Sequence, residues 1–476
     1  MSSEQHQTSS VPVEPTVLDR FSFRILQFIH IEGASGFLLM FMTLGALFLA
    51  NSMWSDLYFR VLKTPFVVGV PNLFVIEKPL LLWVNDGLMA IFFFVVGLEL
   101  KREAWIGELS GLHKALLPGM AALGGMIVPV LFFWLINRQH PENLAGWGIP
   151  MATDIAFAVG VITLLRKRVP LGLVVFLTAL AVVDDLGAIL VIALFYTKQI
   201  HSTMLLLAGV FLVALAIYGR VGGRSLIVYM ILGGFTWLAV LQSGIHATVA
   251  GVAVAWTIPV DTRVDLRRFS VWMRQQLDRF DSDLFELSNP FRPGEKQRHA
   301  LHAMNHAVYL ADSPLRRLED ALHPWVAFLI MPLFALANAG IPVDKNLVHS
   351  LTSPLALGIL AGLLLGKPIG IVLFTWLAIR LRFGSVPSGV SLRHLLGTGI
   401  LAGMGFTMSI FIATLSFDAS APHAQWLGIK LASPMIALAG QKGQLEVAKM
   451  AILVSSTLAG VLGYFTLRFL PLTGQS

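Results

Sequence analysis

The stretch TALAVVDDLGAI (residues 178–189) sets two adjacent aspartates, Asp184 and Asp185, in the middle of an apolar run over 170–196. A run of that length crosses a bilayer, whose hydrocarbon takes about 20 helical residues. A charge at that depth costs at least ~2.5–3.5 kcal/mol on insertion scales, so it marks a functional or paired group. Neighbours on a helix diverge by about 100°, so the two carboxylates do not share one axis, though they can still flank one water-filled cavity. In a low dielectric they repel, and their titrations couple. A proton or a sodium ion relieves the same repulsion. Proton and cation therefore compete for one place, as an exchanger requires. The plain alternative is a buried pair tied to a cation elsewhere, but one basic residue cannot neutralise both.

The rest of the chain fits that setting. It has 476 residues, 56% hydrophobic and only 13% charged, with mean hydropathy +0.75. Soluble domains carry about 25% charged residues, so a large soluble enzyme is excluded. The pattern predicts an all-α membrane protein of about twelve transmembrane helices. They fall near 33–51, 79–100, 115–137, 148–164, 170–196, 202–219, 225–241, 242–258, 324–341, 354–380, 393–414 and 445–468. A single transmembrane transporter domain is expected over 33–470, with a cytoplasmic N-terminal segment at 1–32 and a tail at 471–476. The polar first 30 residues lack the apolar core of a signal peptide, so the first span is expected to be a retained insertion signal. No cysteine is present, which excludes disulfides and thiolate metal sites.

Lysines and arginines set the orientation. With the N-terminus in the cytoplasm, the inner connections hold Lys101, Arg102, Lys114, Arg166, Lys167, Arg168, Arg220, Arg224, Arg380, Arg382 and Arg393. The short outer loops hold little beyond Arg138, Lys198 and Lys345. Cytoplasmic loops are the basic ones in membrane proteins, and an even span count puts both termini inside. The net charge of +7 is read as these loop residues, not as nucleic-acid binding. The largest break, 261–323, is expected to be a cytoplasmic loop with amphipathic helices at 264–280 and 297–311. Its His299, His302 and His306 share a helix face and read as solvated, with pH sensing or metal binding as alternatives. Two outer connections, 52–78 and 415–444, are long for hairpins.

Other ionisable groups stand inside the predicted spans. In PMATDIAFAVG (150–160), Thr153 and Asp154 interrupt the apolar run. Their oxygens suit a hard cation. Asp154 equally suits the N-cap of an ordinary helix, and both readings hold if the helix is broken there. Lys367 follows a glycine seam, Gly358, Gly362, Gly366 and Gly370, whose spacing permits close helix packing. Lys367 wants a carboxylate, Asp184 or Asp154; snorkelling to the interface is the alternative. In LLGTGILAGMGFTMSIFI (395–412), Gly403 and Gly405 weaken a helix, while Thr407 and Ser409 could satisfy freed backbone groups. Two interrupted spans, the fourth and eleventh, point to a site between them, with helices 3–5 and 10–12 as inverted repeats. Asp86 and Glu99 lie 13 residues apart on the second span, the first at depth and the second near the cytoplasmic end. Glu99, Lys101, Arg102 and Glu103 form either a solvated helix end or an ion-attracting funnel. His246 reads as a packing or hydrogen-bonding residue more readily than as a proton relay.

Taken in order, WVNDGLMAIFFFVVGLELKREAW (83–105), MATDIAFAVGV (151–161), LTALAVVDDLGAI (177–189), SGIHATVAGV (243–252), LHPWVAFLIMPLFALANAG (322–340), GKPIGI (366–371) and GMGFTMSIFIA (403–413) resemble the NhaA family of bacterial sodium/proton antiporters. Inverted repeats and broken helices are what this family is known for. The resemblance implies crossing broken helices, with Asp185 as main sodium ligand and Asp184 as the second carboxylate, paired with Lys367. It implies Thr153 and Asp154 at the helix crossing, Asp154 balancing opposed helix ends, and Asp86 supporting the pathway. Sodium would be held by Asp185, Asp184 and Thr153. Glu99, Arg102, Glu103, Glu319 and His323 would form a cytoplasmic pH-sensing region, with His246 modulating the response. Two departures stand out: the loops 261–323 and 415–444 exceed the family's compact pattern, and Asp320 follows Glu319 where a histidine is expected.

The expected activity is electrogenic export of sodium or lithium against protons by alternating access, serving pH and sodium homeostasis from the bacterial inner membrane. That is secondary transport, not enzymology. The expected partners are the lipid bilayer and the ions, with no cofactor and no nucleic acid; a homodimer is compatible with the sequence. An intramembrane aspartyl protease needs its carboxylates on facing helices, and here they are adjacent. A cation channel differs in that its flux would ignore the proton gradient.

Overall fold

The computed structural model describes residues 34–70, 74–107, 110–165, 168–197, 200–262, 264–281, 294–343, 348–384, 389–417 and 434–470. The segments 1–32 and 471–476, the cluster residues Arg166 and Lys167, the outer lysines Lys198 and Lys345, and most of 415–444 lie outside them. The described chain is helical apart from one hairpin. In chain order the elements are α1 (Ala34–Ala50), α2 (Ser55–Lys63), strands β1 (Pro65–Val70) and β2 (Phe74–Pro79), α3 (Leu80–Trp105) and α4 (Leu112–Asn137). A 3-10 helix, Pro141–Met151, then precedes α5 (Ile155–Leu164). Next come α6 (Leu171–Phe195), α7 (Ser202–Val221), α8 (Leu226–Ser243) and α9 (Ala247–Thr257). The chain continues with α10 (Leu266–Asp281), α11 (Glu295–Ala311), α12 (Pro314–Asn338) and α13 (Pro354–Arg380). It closes with α14 (Leu392–Ala402), α15 (Phe406–Ser416) and α16 (Pro434–Arg468).

Among the described residues, eight helices are long and apolar enough to cross a membrane, and up to eleven spans result if each bent helix pair counts as one. Their outer faces carry large apolar side chains, such as Phe41 and Phe48 on α1, Leu206 and Val213 on α7, and Ile227 and Ile231 on α8, all exposed. Lipid is the solvent such a surface fits. Within the spans, Thr178, Thr236 and Thr375 turn their hydroxyls onto the carbonyl four residues back, which keeps those hydroxyls paired against hydrocarbon.

Three expectations are corrected. The helix of the span predicted at 242–258 is shorter than expected, an 11-residue apolar helix, α9. Gly244, at φ 87°, takes a left-handed turn that ends α8, and His246 caps the start of α9. The span predicted at 324–341 begins ten residues earlier, at Pro314, where the Ser313 hydroxyl accepts from Arg316 N. The chain is also not wholly α-helical. Residues 65–79 form an antiparallel hairpin, with Val67 opposite Glu77 and Val68 opposite Ile76. Its β-branched residues favour strands, and they fall in the connection expected over 52–78. The amphipathic helices of the loop stand as expected, at Leu266–Asp281 and Glu295–Ala311.

The glycine seam does what its spacing predicts. α13 lies on α4 so closely that a Cβ at Gly370 would strike the Gly124 carbonyl, and one at Gly366 would strike Pro129. A π-helical turn over Gly362–Gly366 adds one residue to the winding immediately before Lys367. Two more π-turns occur, at Val84–Leu88 around Asp86 and at Val326–Ile330 in α12. Such turns recur at functional sites.

Candidate functional site

α6 places Asp184 and Asp185 at 1% exposure each, and α13 brings Lys367 against them at 0%. Lys367 Nζ donates to Asp184 Oδ2 at 2.6 Å and to Thr153 Oγ1 at 2.8 Å. Of the two carboxylates left open for Lys367, the structure selects Asp184, and snorkelling is excluded by the complete burial. Among the described residues Asp185 has no such partner: its Oδ1 is buried with no hydrogen bond, and so is Asp184 Oδ1. The single ammonium is therefore committed to one carboxylate. Buried polar oxygens left open are costly, and they are where a proton or a cation binds with most gain.

Both helix interruptions are real. The 3-10 helix Pro141–Met151 and α5 meet at 44° across Ala152–Asp154, and α14 and α15 meet at 46° across Gly403–Gly405. The breaks are bonded to each other. Thr153 Oγ1 donates to Ala402 O at 2.9 Å, and Asp154 N donates to Met404 O at 2.7 Å. Ser409 Oγ donates to Ile149 O at 2.8 Å, a backbone group of the other broken helix rather than of its own. Gly405 is needed for this approach: a Cβ there would collide with the Ser409 hydroxyl and stand 2.8 Å from Ala152 O.

The N-cap reading of Asp154 holds at a broken helix. Its Oδ1 accepts from Phe157 N at 3.2 Å, an N-cap of α5. Its Oδ2 accepts from Thr407 N at 2.9 Å and from the Thr407 hydroxyl, at the start of α15. One carboxylate thus answers the positive ends of two helices. The 3-10 helix and α14 leave carbonyls beside Thr153, at the end to which Lys367 also donates. Thr407 is expected from sequence to bond backbone; that it serves a carboxylate takes the tertiary structure to show.

Asp86 is placed differently from the expectation of a mid-span group. It lies in the second turn of α3, ion-paired with Lys78 of β2 at 2.6 Å, with His246 Nε2 at 3.7 Å from its other oxygen. Sequence reasoning misses Lys78, because a strand partner cannot be inferred while the hairpin reads as a connection. His246 stays on this cluster: it caps α9 through Thr248 and packs on Phe411 of α15 at 5.3 Å. Asn85, the neighbour of Asp86, accepts from Asn338 at 2.8 Å, a further buried link not read in the sequence.

The remaining predicted residues gather at the other end of α3. Arg102 bridges Glu103 at 3.0 Å and Glu319 of α12 at 2.8 Å, and Glu99 lies one turn before Glu103. Glu319 is buried, whereas Asp320 and His323 are exposed. His246 is thus separate from the five residues grouped with it, and joins Asp86 instead. Lys101 is buried and caps α9 by donating to Trp256 O and Ile258 O.

Among the described residues no three His, Asp or Glu side chains stand clustered as a metal centre.

A sequence profile of the Na+/H+ antiporter 1 family matches residues 26–467. Among curated relatives, the Na+/H+ antiporter NhaA of Oleidesulfovibrio alaskensis is 44% identical over 456 residues, covering 96% of each chain. The NhaA of Pseudomonas putida (strain GB-1) is 43% identical over 438 residues, covering 92% of this chain and 95% of its own. A solved structure of the sodium proton antiporter MjNhaP1 from Methanocaldococcus jannaschii covers 95% of this chain at 12% identity and TM-score 0.46, a likeness too weak to argue from.

Proposed function

This chain belongs to the Na+/H+ antiporter 1 family, and we propose that it exports sodium or lithium in electrogenic exchange for protons, by alternating access around Asp185. The observation that carries the reading is the unequal pair: Asp184 is held by Lys367, and Asp185 is buried with an oxygen left open. Facing the cytoplasm, Asp185 takes the cation, assisted by Asp184 and Thr153, as protons leave. Facing outward, protons displace it.

Thr153 Oγ1 donates to Ala402 O and accepts from Lys367, so a cation that ligates its remaining lone pair stands beside the Lys367 ammonium and drives it off Asp184. Cation binding and release of the Lys367–Asp184 pair are then one event, which couples sodium to protons. Two titrating carboxylates suggest about two protons per sodium ion. One net charge then moves per cycle, and the membrane potential, inside negative, drives sodium outward by ~2.3 kcal/mol per 100 mV.

Finer parts of the reading rest on the same family membership. The two broken helices cross in the membrane as the fourth and eleventh of twelve helices in inverted repeats, with Asp154 balancing their ends. Asp86 supports the transport pathway. Glu99, Arg102, Glu103, Glu319 and His323 form the pH-responsive end, with His246 modulating it from a distance. The setting is the bacterial inner membrane with both termini inside, and the role is pH and sodium homeostasis. The experiment is proton flux in everted vesicles on adding sodium or lithium: flux is expected, and none at any pH between about 6 and about 9 would refute the exchange.

A further inference from the structure

Beyond the transport site, the structure leaves one cluster of ligating side chains without a use: the histidines of α11. That helix packs on α10 through a face on which Gln297 and Ala300 are buried. His299, His302 and His306 are all exposed and lie on the opposite face. Side chains four residues apart stand about 5–6 Å from each other at Cβ. Two imidazoles at that spacing on one helix face can grip one metal ion. No group of three ligands is preassembled among the described residues, so the unit is a pair with water completing the shell.

We propose that His302 and His306 form a two-nitrogen site for a divalent transition-metal ion of the zinc, nickel or copper class, on the loop 261–323. Neutral imidazole suits those ions, whereas sodium and magnesium prefer oxygen. The pair His302–His306 is favoured over His299–His302 by its neighbours. His302 and His306 are four residues apart and the chain from 303 to 310 carries no Asp, Glu, Lys or Arg, while Lys296 stands on the face of His299, three residues before it. The site is tied to the transporter. Arg224 donates to Leu310 O at 3.0 Å, and the Arg317 guanidinium lies 3.6 Å from the Tyr309 ring. α11 then leads through Ser313 into α12, which carries Glu319. A bound metal stiffens the turns that feed that connection.

The test is zinc binding to the untagged full-length protein in detergent, by equilibrium dialysis with metal analysis. About one zinc per chain is expected. It is lost in His302→Gln and in His306→Gln and kept in His299→Gln. Copper(II) in its place shows the spectroscopic signature of two imidazole nitrogens. Sodium-driven proton flux of the metal-free protein is unchanged in all three variants, whose substituted side chains are exposed. No zinc bound by the original chain, or binding that survives either substitution, overturns the proposal. So does its loss in His299→Gln.

Discussion

Lys367 has one positive charge, and it goes to Asp184. Removing it by Lys367→Ala leaves a buried carboxylate without its cation, a loss of about 3–5 kcal/mol for a broken buried pair. Thermal unfolding is expected to fall accordingly, and the proton-to-sodium ratio to drop. An unchanged ratio would count against proton carriage by this pair. Thr407→Val keeps the backbone N–H bond to Asp154 and removes the hydroxyl bond, at roughly 1–3 kcal/mol. A lowered melting temperature checks it. At this scale the sequence is informative where composition makes a residue anomalous. Asp184, Asp185, Asp154 and Lys367 each stand out in apolar surroundings. Lys78, Asn85 and Asn338 do not, because a polar residue near a span end looks ordinary until its partner is known.

At the scale of elements, the two broken helices hold each other through backbone and side-chain bonds that no unbroken helix could make. Gly405→Ala forces a Cβ into the Ser409 hydroxyl and toward Ala152 O. Overpacking of this kind costs about 1–3 kcal/mol. The expected result is lower stability together with slower exchange, measured by unfolding and by flux in reconstituted vesicles. Normal flux at normal stability would mean that the close approach is not needed. The interruptions are legible from Thr-Asp and glycine inside apolar runs. The three π-turns are not, since one added residue leaves the hydrophobic pattern almost unaltered. The hairpin at 65–79 is open to reading in its β-branched run, but its apolar stretches are too short to announce themselves beside the spans.

At the scale of the whole molecule, two of the basic connections predicted to share one side, those holding Arg102 and Arg224, reach the same segment, 261–323. Arg102 pairs with Glu319, and Arg224 donates to Leu310 O and Asp261 O, so the ends of α3, α7, α9, α11 and α12 gather together. The number of spans is less legible than their chemistry, because α9 is shortened by the turn at Gly244 and α12 absorbs the end of a loop. If exchange carries net charge, an inside-negative potential should speed sodium export from vesicles, and collapsing it with an ionophore should slow it. Equal rates with and without potential would make the exchange electroneutral. The most direct measurement compares sodium-induced proton flux in everted vesicles holding the original chain with those holding Asp185→Asn. Flux is expected in the first and none in the second, at equal amounts of folded protein; full flux in the variant would contradict Asp185 as the place where sodium and protons compete.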